Sequence, residues 1–232
     1  MPIVQLLKPH AKELSPGFNV RRSLPATARQ SIGPFLFFDH FGPLQAAPGD
    51  NHDVRPHPHI GLATVTYLFE GAMDHRDSLG NVQRIEPGAI NWMTAGHGIV
   101  HSERTPPELR ASGWRSHGLQ LWVGLSLAEE ETAPSFTHTP ASSIPIWFGD
   151  GVKVRVLIGE LHQYRSPVRT CSKTLYLDAD AAIGSRKLLP ARMDKDVVEH
   201  GVYSIDNAIE IDGVELPPFT LAALETSKDT LI

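Results

Sequence analysis

Short runs in which apolar and polar residues alternate recur along the chain. Residues 118–127 (GLQLWVGLSL) set Leu119, Leu121, Val123 and Leu125 on one face and Gln120, Trp122 and Gly124 on the other. Residues 151–159 (GVKVRVLIG) alternate more clearly, with Val152, Val154, Val156 and Ile158 against Lys153 and Arg155. A period of two predicts strands. Residues 62–69 (LATVTYLF) are dense in β-branched and aromatic side chains, which also suit a strand. Ile209–Ile211 and Val214–Leu216 flank Asp212-Gly213 and predict a hairpin, because Asp-Gly supplies the positive φ angles of a tight primed turn. Further turns are expected at 78–81 and 149–151. Helix signals are few. A capping-box pattern, Ser126-Leu127-Ala128-Glu129, predicts one short helix ending near Pro134. Another helical turn or two is expected over residues 8–14.

Many short strands with regular turns predict an all-β chain built as sandwiches or barrels. The 19 glycines and 19 prolines agree with many turns. An acidic run, Glu129-Glu130-Glu131, opens a Pro/Ser/Thr-rich stretch that reaches about residue 148. The expected division is therefore 1–130 and 131–232, two β units joined by this linker. With 232 residues and 41% apolar content, the chain can bury a core without a metal or disulfide.

The formal charge of −5 disfavours direct nucleic-acid binding. Cys171, the single cysteine, rules out an intrachain disulfide, fits a reducing compartment such as the cytoplasm, and is expected to be semi-buried. Lys8, Pro9 and His10 interrupt the N-terminal apolar residues before a signal-peptide core can form. No apolar run approaches membrane-spanning length, so no membrane partner is expected.

Histidine is the outlier, with 12 in all. Two short motifs stand out among them: His57-Pro58-His59 and His101-Ser102-Glu103. In extended chain, residues two apart share a face. Each motif can thus aim two donors at one point, and Pro58 stiffens the first. If that strand continues, Gly61, Ala63, Val65 and Tyr67 extend the same face as an apolar wall. The intervening turns allow a return path that brings the motifs together. Three imidazoles and one carboxylate suit Fe, Mn, Co, Ni, Cu or Zn. Surface histidines, or a neutral core histidine bonded to backbone, are the competing explanations. His97, on a Gly-rich loop, is a candidate contact near the site, and His40 a candidate at a pocket mouth. His75 is expected to be exposed beside a turn. His117 is expected to have no role in the site. His138, His162 and His200 are isolated in sequence, and the second unit is expected to bind no metal.

Four blocks then carry a resemblance: FLFFDHFGP, RPHPHIGLATVTYLFEG, PGAINWMTAGHGIVHSE and HGLQLWVGL. In this order, over about residues 17–125, they resemble the pirin family of the cupin superfamily, in its short bacterial, quercetinase-like branch. The resemblance implies a bicupin of two stacked β-barrels with one metal ion, usually iron as Fe(II), in the first. It places the ligands on His57, His59, His101 and Glu103. The general cupin pattern carries a Glu four or five residues after its His-x-His. Here Ala63 and Thr64 stand there, and Glu103 supplies the carboxylate, as in pirins. Thr94 likewise replaces the general cupin proline.

By resemblance, the expected activity is that of a quercetin 2,3-dioxygenase, which opens a flavonol ring with O2 and releases carbon monoxide. A bound metal would lower the pKa of the flavonol oxygen. Glu103 would act as the catalytic base toward the 3-hydroxyl. Phe35, Phe37, Phe38, Phe41, Trp92 and Met93 are candidate walls for a flat aromatic substrate. The alternative, also implied by the family, is a metal- or redox-dependent protein that binds a transcription factor or metabolic enzyme. A different metal-assisted reaction is a third reading.

Overall fold

A computed structural model of the chain describes residues 3–15, 17–185, 188–189, 199–224 and 230–232. In chain order its strands begin β1 (Ile3–Leu7), β2 (His10–Ser15), β3 (Phe18–Leu24), β4 (Phe35–Ala46), β5 (Val54–His59), β6 (Leu62–Glu70), β7 (Met73–Asp77), β8 (Val82–Ile85), β9 (Ile90–Thr94) and β10 (Ile99–Arg104). A short helix, α1 (Pro107–Ser112), precedes β11 (Trp114–Gly124), β12 (Ser135–Thr139), β13 (Ile146–Gly149) and β14 (Val152–Ile158). The rest of the described chain adds only short strands and hairpins. The all-β expectation holds.

Two antiparallel sheets form the first half. One has seven strands in the order β12-β9-β6-β11-β4-β3-β2; the other has four, β5-β10-β7-β8. In the large sheet, register aligns Phe37, Trp122, Thr64, Met93 and Phe136 in one row across five strands. One residue along, Phe38, Leu121, Val65, Trp92 and Thr137 form the next row, on the opposite face. Phe38, Leu121, Val65 and Trp92 share a buried cluster with Leu157, Ile158, Val168, Leu221 and Ala223 of the second half. Each fully buried aliphatic side chain there contributes about 1.5–3 kcal/mol. The first face meets the small sheet: the Trp122 ring lies 5.1 Å from His59, and Phe136 lies 4.2 Å from His75.

Between the sheets runs a polar row, Asp39, Gln120, Thr66, Asn91 and His138. Its members satisfy one another or a neighbour. Arg22 donates two 2.8 Å bonds to Asp39, Thr66 Oγ1 donates to Gln120 Oε1 at 2.9 Å, and His138 Nδ1 lies 2.7 Å from Asn91 Oδ1.

The second half holds the sheet β13-β14 with Tyr176–Ala181, and a sheet in which Leu221–Leu224 pairs with β1 and with His200–Tyr203. The alternation over 151–159 holds as far as Val156, with Val152, Val154 and Val156 buried in one cluster; a register shift between Val156 and Ile158 ends it, and Leu157 and Ile158 are both buried in another cluster. The 209–216 hairpin forms with Asp212 at φ 45° and Gly213 at φ 79°, as its Asp-Gly turn requires. Cys171 is exposed rather than semi-buried. Among the described residues, no helix is long and apolar enough to cross a membrane.

Three local expectations fail. Residues 10–15 form β2, because pairing with β3 overrides a weak helical preference. Residues 126–132 make only a turn, closed by the Glu129 and Glu130 amides on the Ser126 carbonyl. Ala133 stands before Pro134, which disfavours helical backbone there. The His57 strand does not continue to Tyr67. Gly61, at φ 67°, breaks it and sends the chain from the small sheet into the large one. Ala63, Val65 and Tyr67 therefore face the second half, not the histidines.

Candidate metal centre

The small sheet assembles the histidines through register. His57 stands directly opposite His101 across the β5–β10 pair, and Ile99 stands opposite His59. His57, His59 and His101 thus share one face and one corner. Ring centroids are 4.4 Å apart for His57–His101, 4.9 Å for His57–His59 and 5.0 Å for His59–His101. One nitrogen from each ring falls within 4.8 Å of the other two.

The nitrogens also point the right way. His59 Nε2 and His101 Nε2 are 3.1 Å apart. Two nitrogens bound at right angles to an ion, each at about 2.1 Å, lie about 3.0 Å from one another. His57 Nδ1 donates to the Arg55 carbonyl at 2.8 Å, which leaves Nε2 as the nitrogen available to an ion. Burial depresses His59 to about 4, with His57 adding to the shift. Burial, then the neighbouring His57, His59 and His75, brings His101 down to about 2. At neutral pH both rings are neutral, so their lone pairs reach a metal without a proton having to leave. The residues therefore fit a divalent transition ion.

Glu103 is buried on the same strand, opposite an irregular stretch of β5 where three residue steps from His57 to Val54 match two from His101 to Glu103, and its carboxylate stays outside the three-nitrogen group. Burial raises its pKa, and His57 opposes that shift.

His75 overturns its expectation: it is 5% exposed and sits inside the site. Register places it opposite Glu103, and Asp77 opposite His101. Its Nδ1 lies 3.4 Å from His101 Nδ1, and its Nε2 lies 2.9 Å from Asp77 Oδ2. The signal was in the sequence, since His75-Arg76-Asp77 has the same two-residue spacing as the other motifs.

Other candidates scatter. His97 is exposed on its loop. His40 lies at no pocket mouth: it is fully buried on the opposite face, 2.7 Å from His117 and 2.8 Å from the Tyr203 hydroxyl. Among the expected walls, Phe37 reaches the site, stacked at 4.1 Å on Trp122, whose ring meets His59. Phe38 and Trp92 face the second half, with Phe35 packed against their cluster. Phe41 packs with Phe18, and Met93 with Ile99 and Phe136. Trp122 was missed because a strand in the middle of a sheet buries both faces, so its alternation does not mark an outer side.

A cluster of three imidazoles inside a two-sheet β unit is the arrangement of a cupin-like protein with a candidate metal site. Residues 17–123 match the family model described as Pirin. A Pirin-like protein of Caulobacter vibrioides is 44% identical over 202 residues, 86% of this chain and 68% of its own length. A Pseudomonas aeruginosa protein, provisionally named a quercetin 2,3-dioxygenase, is 38% identical over 99% of this chain and 70% of its own. The crystal structure of quercetin 2,3-dioxygenase from Acinetobacter baumannii superposes with a TM-score of 0.90 at 33% identity, covering 99% of this chain and 74% of that one. The chain belongs to the pirin family, and its fold is the bicupin arrangement.

Proposed function

We propose that this protein is a metal-dependent dioxygenase of the quercetin 2,3-dioxygenase type, acting on a flavonol-like aromatic substrate and O2. The observation that carries the reading is the convergence of three imidazole nitrogens within 4.8 Å, in a chain homologous to proteins of that name. His57, His59 and His101 hold one divalent ion in the unit 1–130, Fe(II) being the proposed metal, with Glu103 as the carboxylate of the set. Held there, such an ion would supply Lewis-acid polarisation of a substrate oxygen and electron exchange with O2.

The side chains divide the remaining work. Glu103, raised in pKa by burial, is suited to accept and hold the proton of the flavonol 3-hydroxyl at a carboxylate oxygen. Trp122, backed by Phe37, offers a flat apolar wall beside His59 for an aromatic ring. Oxygen uptake by the iron-loaded protein with quercetin, beside a His101→Ala control, tests the reading. Uptake by the wild type alone is expected. No uptake with iron bound would overturn it in favour of metal-dependent partner binding.

A further inference from the structure

We propose that His75 and Asp77 are positioning residues that fix the tautomer of His101, so that its Nε2 is bare and aimed at the ion. The inference rests on the reading of His57, His59 and His101 as metal ligands. Asp77 is an anchored acceptor. Its Oδ1 takes hydrogen bonds from the Leu79 and Asn81 amides at 2.9 and 3.1 Å, and Asn81 Nδ2 lies 2.9 Å from Oδ2. An ionised carboxylate cannot donate, so the 2.9 Å contact requires the proton of His75 to sit on Nε2.

Neutral His75 then presents a bare Nδ1, and what faces it is His101 Nδ1 at 3.4 Å. That atom must be the donor. With its proton on Nδ1, His101 is left with the Nε2 lone pair, 3.1 Å from His59 Nε2. The ring of His75 is held in plane by Phe136, stacked at 4.2 Å and 12°. A carboxylate behind a ligating imidazole sets ring orientation and raises ligand basicity. Here one more imidazole stands between them.

Zn(II) affinity, read by competition with a coloured chelator, tests this on the full chain. Asp77→Asn keeps an oxygen for the turn but presents an amide N–H to His75, which reverses the chain of donors. It is expected to weaken Zn(II) binding about 10–100-fold. His75→Phe keeps the stack on Phe136, removes the acceptor, and is expected to lose as much. His75→Gln can accept from His101 and donate to Asp77, and is expected to return to within about threefold of wild type. Melting of the metal-free proteins separates loss of folding from loss of affinity. Folded Asp77→Asn and His75→Phe variants that bind like wild type would overturn the relay. A wild type that binds no Zn(II), Ni(II) or Fe(II) would overturn the metal reading beneath it.

Discussion

Two close histidine pairs, one buried and one part-buried, on opposite faces of the same large sheet, bring Nε2 to Nε2 at similar distances. His59 and His101 are 3.1 Å apart, and His40 and His117 are 2.7 Å apart. The second pair is a closed hydrogen-bonded unit. If His40 Nε2 donates to His117, His40 Nδ1 accepts from the Tyr203 hydroxyl at 2.8 Å. Phe219 and Phe69 pack on the two rings, and the described residues gather no further imidazole or carboxylate into a metal-sized group there. The first pair has a third imidazole in His57, a buried carboxylate two residues beyond His101, and outer partners that turn lone pairs inward. Closeness of two histidines is therefore not the mark of a metal site. The third donor and the partner behind each ring are.

The largest expected effect separates the pairs outright. His101→Ala abolishes measurable metal binding, while His40→Ala leaves affinity unchanged; chelator competition on both variants checks this. Next is the carboxylate that the His40 pair lacks. Glu103→Gln retains an ion on three imidazoles but lowers oxygenase turnover by about 10²–10⁴-fold, read by oxygen uptake. Full turnover in that variant would remove Glu103 from the base role.

The His40 pair shows itself in acid stability. Burial, with the neighbouring His117 and Arg21, holds His40 at about 3 in the folded protein, against the ordinary 6.5. As pH falls, the unfolded chain takes up its proton first. The contribution is complete above 6.5 and declines from there toward 3, by up to about 1.4 kcal/mol per pH unit. Urea midpoints of the metal-free protein should fall between about pH 7 and about pH 5. His40→Leu should reduce that slope by the share of one histidine, with His59 and His101 keeping theirs. The smallest effect concerns delivery. Gly61, two residues beyond His59, sends the chain into another sheet, whereas Gly42, two residues beyond His40 and also at positive φ, leaves β4 running on in the same sheet. Gly61→Ala, at φ 67°, should cost about 1–2 kcal/mol in urea unfolding without ending metal binding.

The histidine trio was legible because a strand with period two turns a spacing into a shared face, and register supplied the rest at His57 and His101. His75-x-Asp77 obeys the same rule, but the adjoining turn at 78–81 drew it toward the surface in a reading of local signals alone. Trp122 and the expected wall of Gly61, Ala63, Val65 and Tyr67 failed for a related reason. Alternation says which residues share a face, not what covers it, and here both faces of the large sheet are covered. The break at Gly61 was equally hidden, since one glycine at positive φ reassigns every residue after it to another sheet. The 209–216 hairpin was legible because Asp-Gly dictates its own turn. Residues 10–15 were not, because β3 is what makes them a strand.

X-ray absorption of the metal-loaded protein most directly tests the central claim that these three imidazoles hold one ion. The account predicts one ion per chain with at least three nitrogen scatterers at about 2.1 Å, lost in His101→Ala. An ion retained unchanged in that variant, or a shell of oxygen alone, would contradict it.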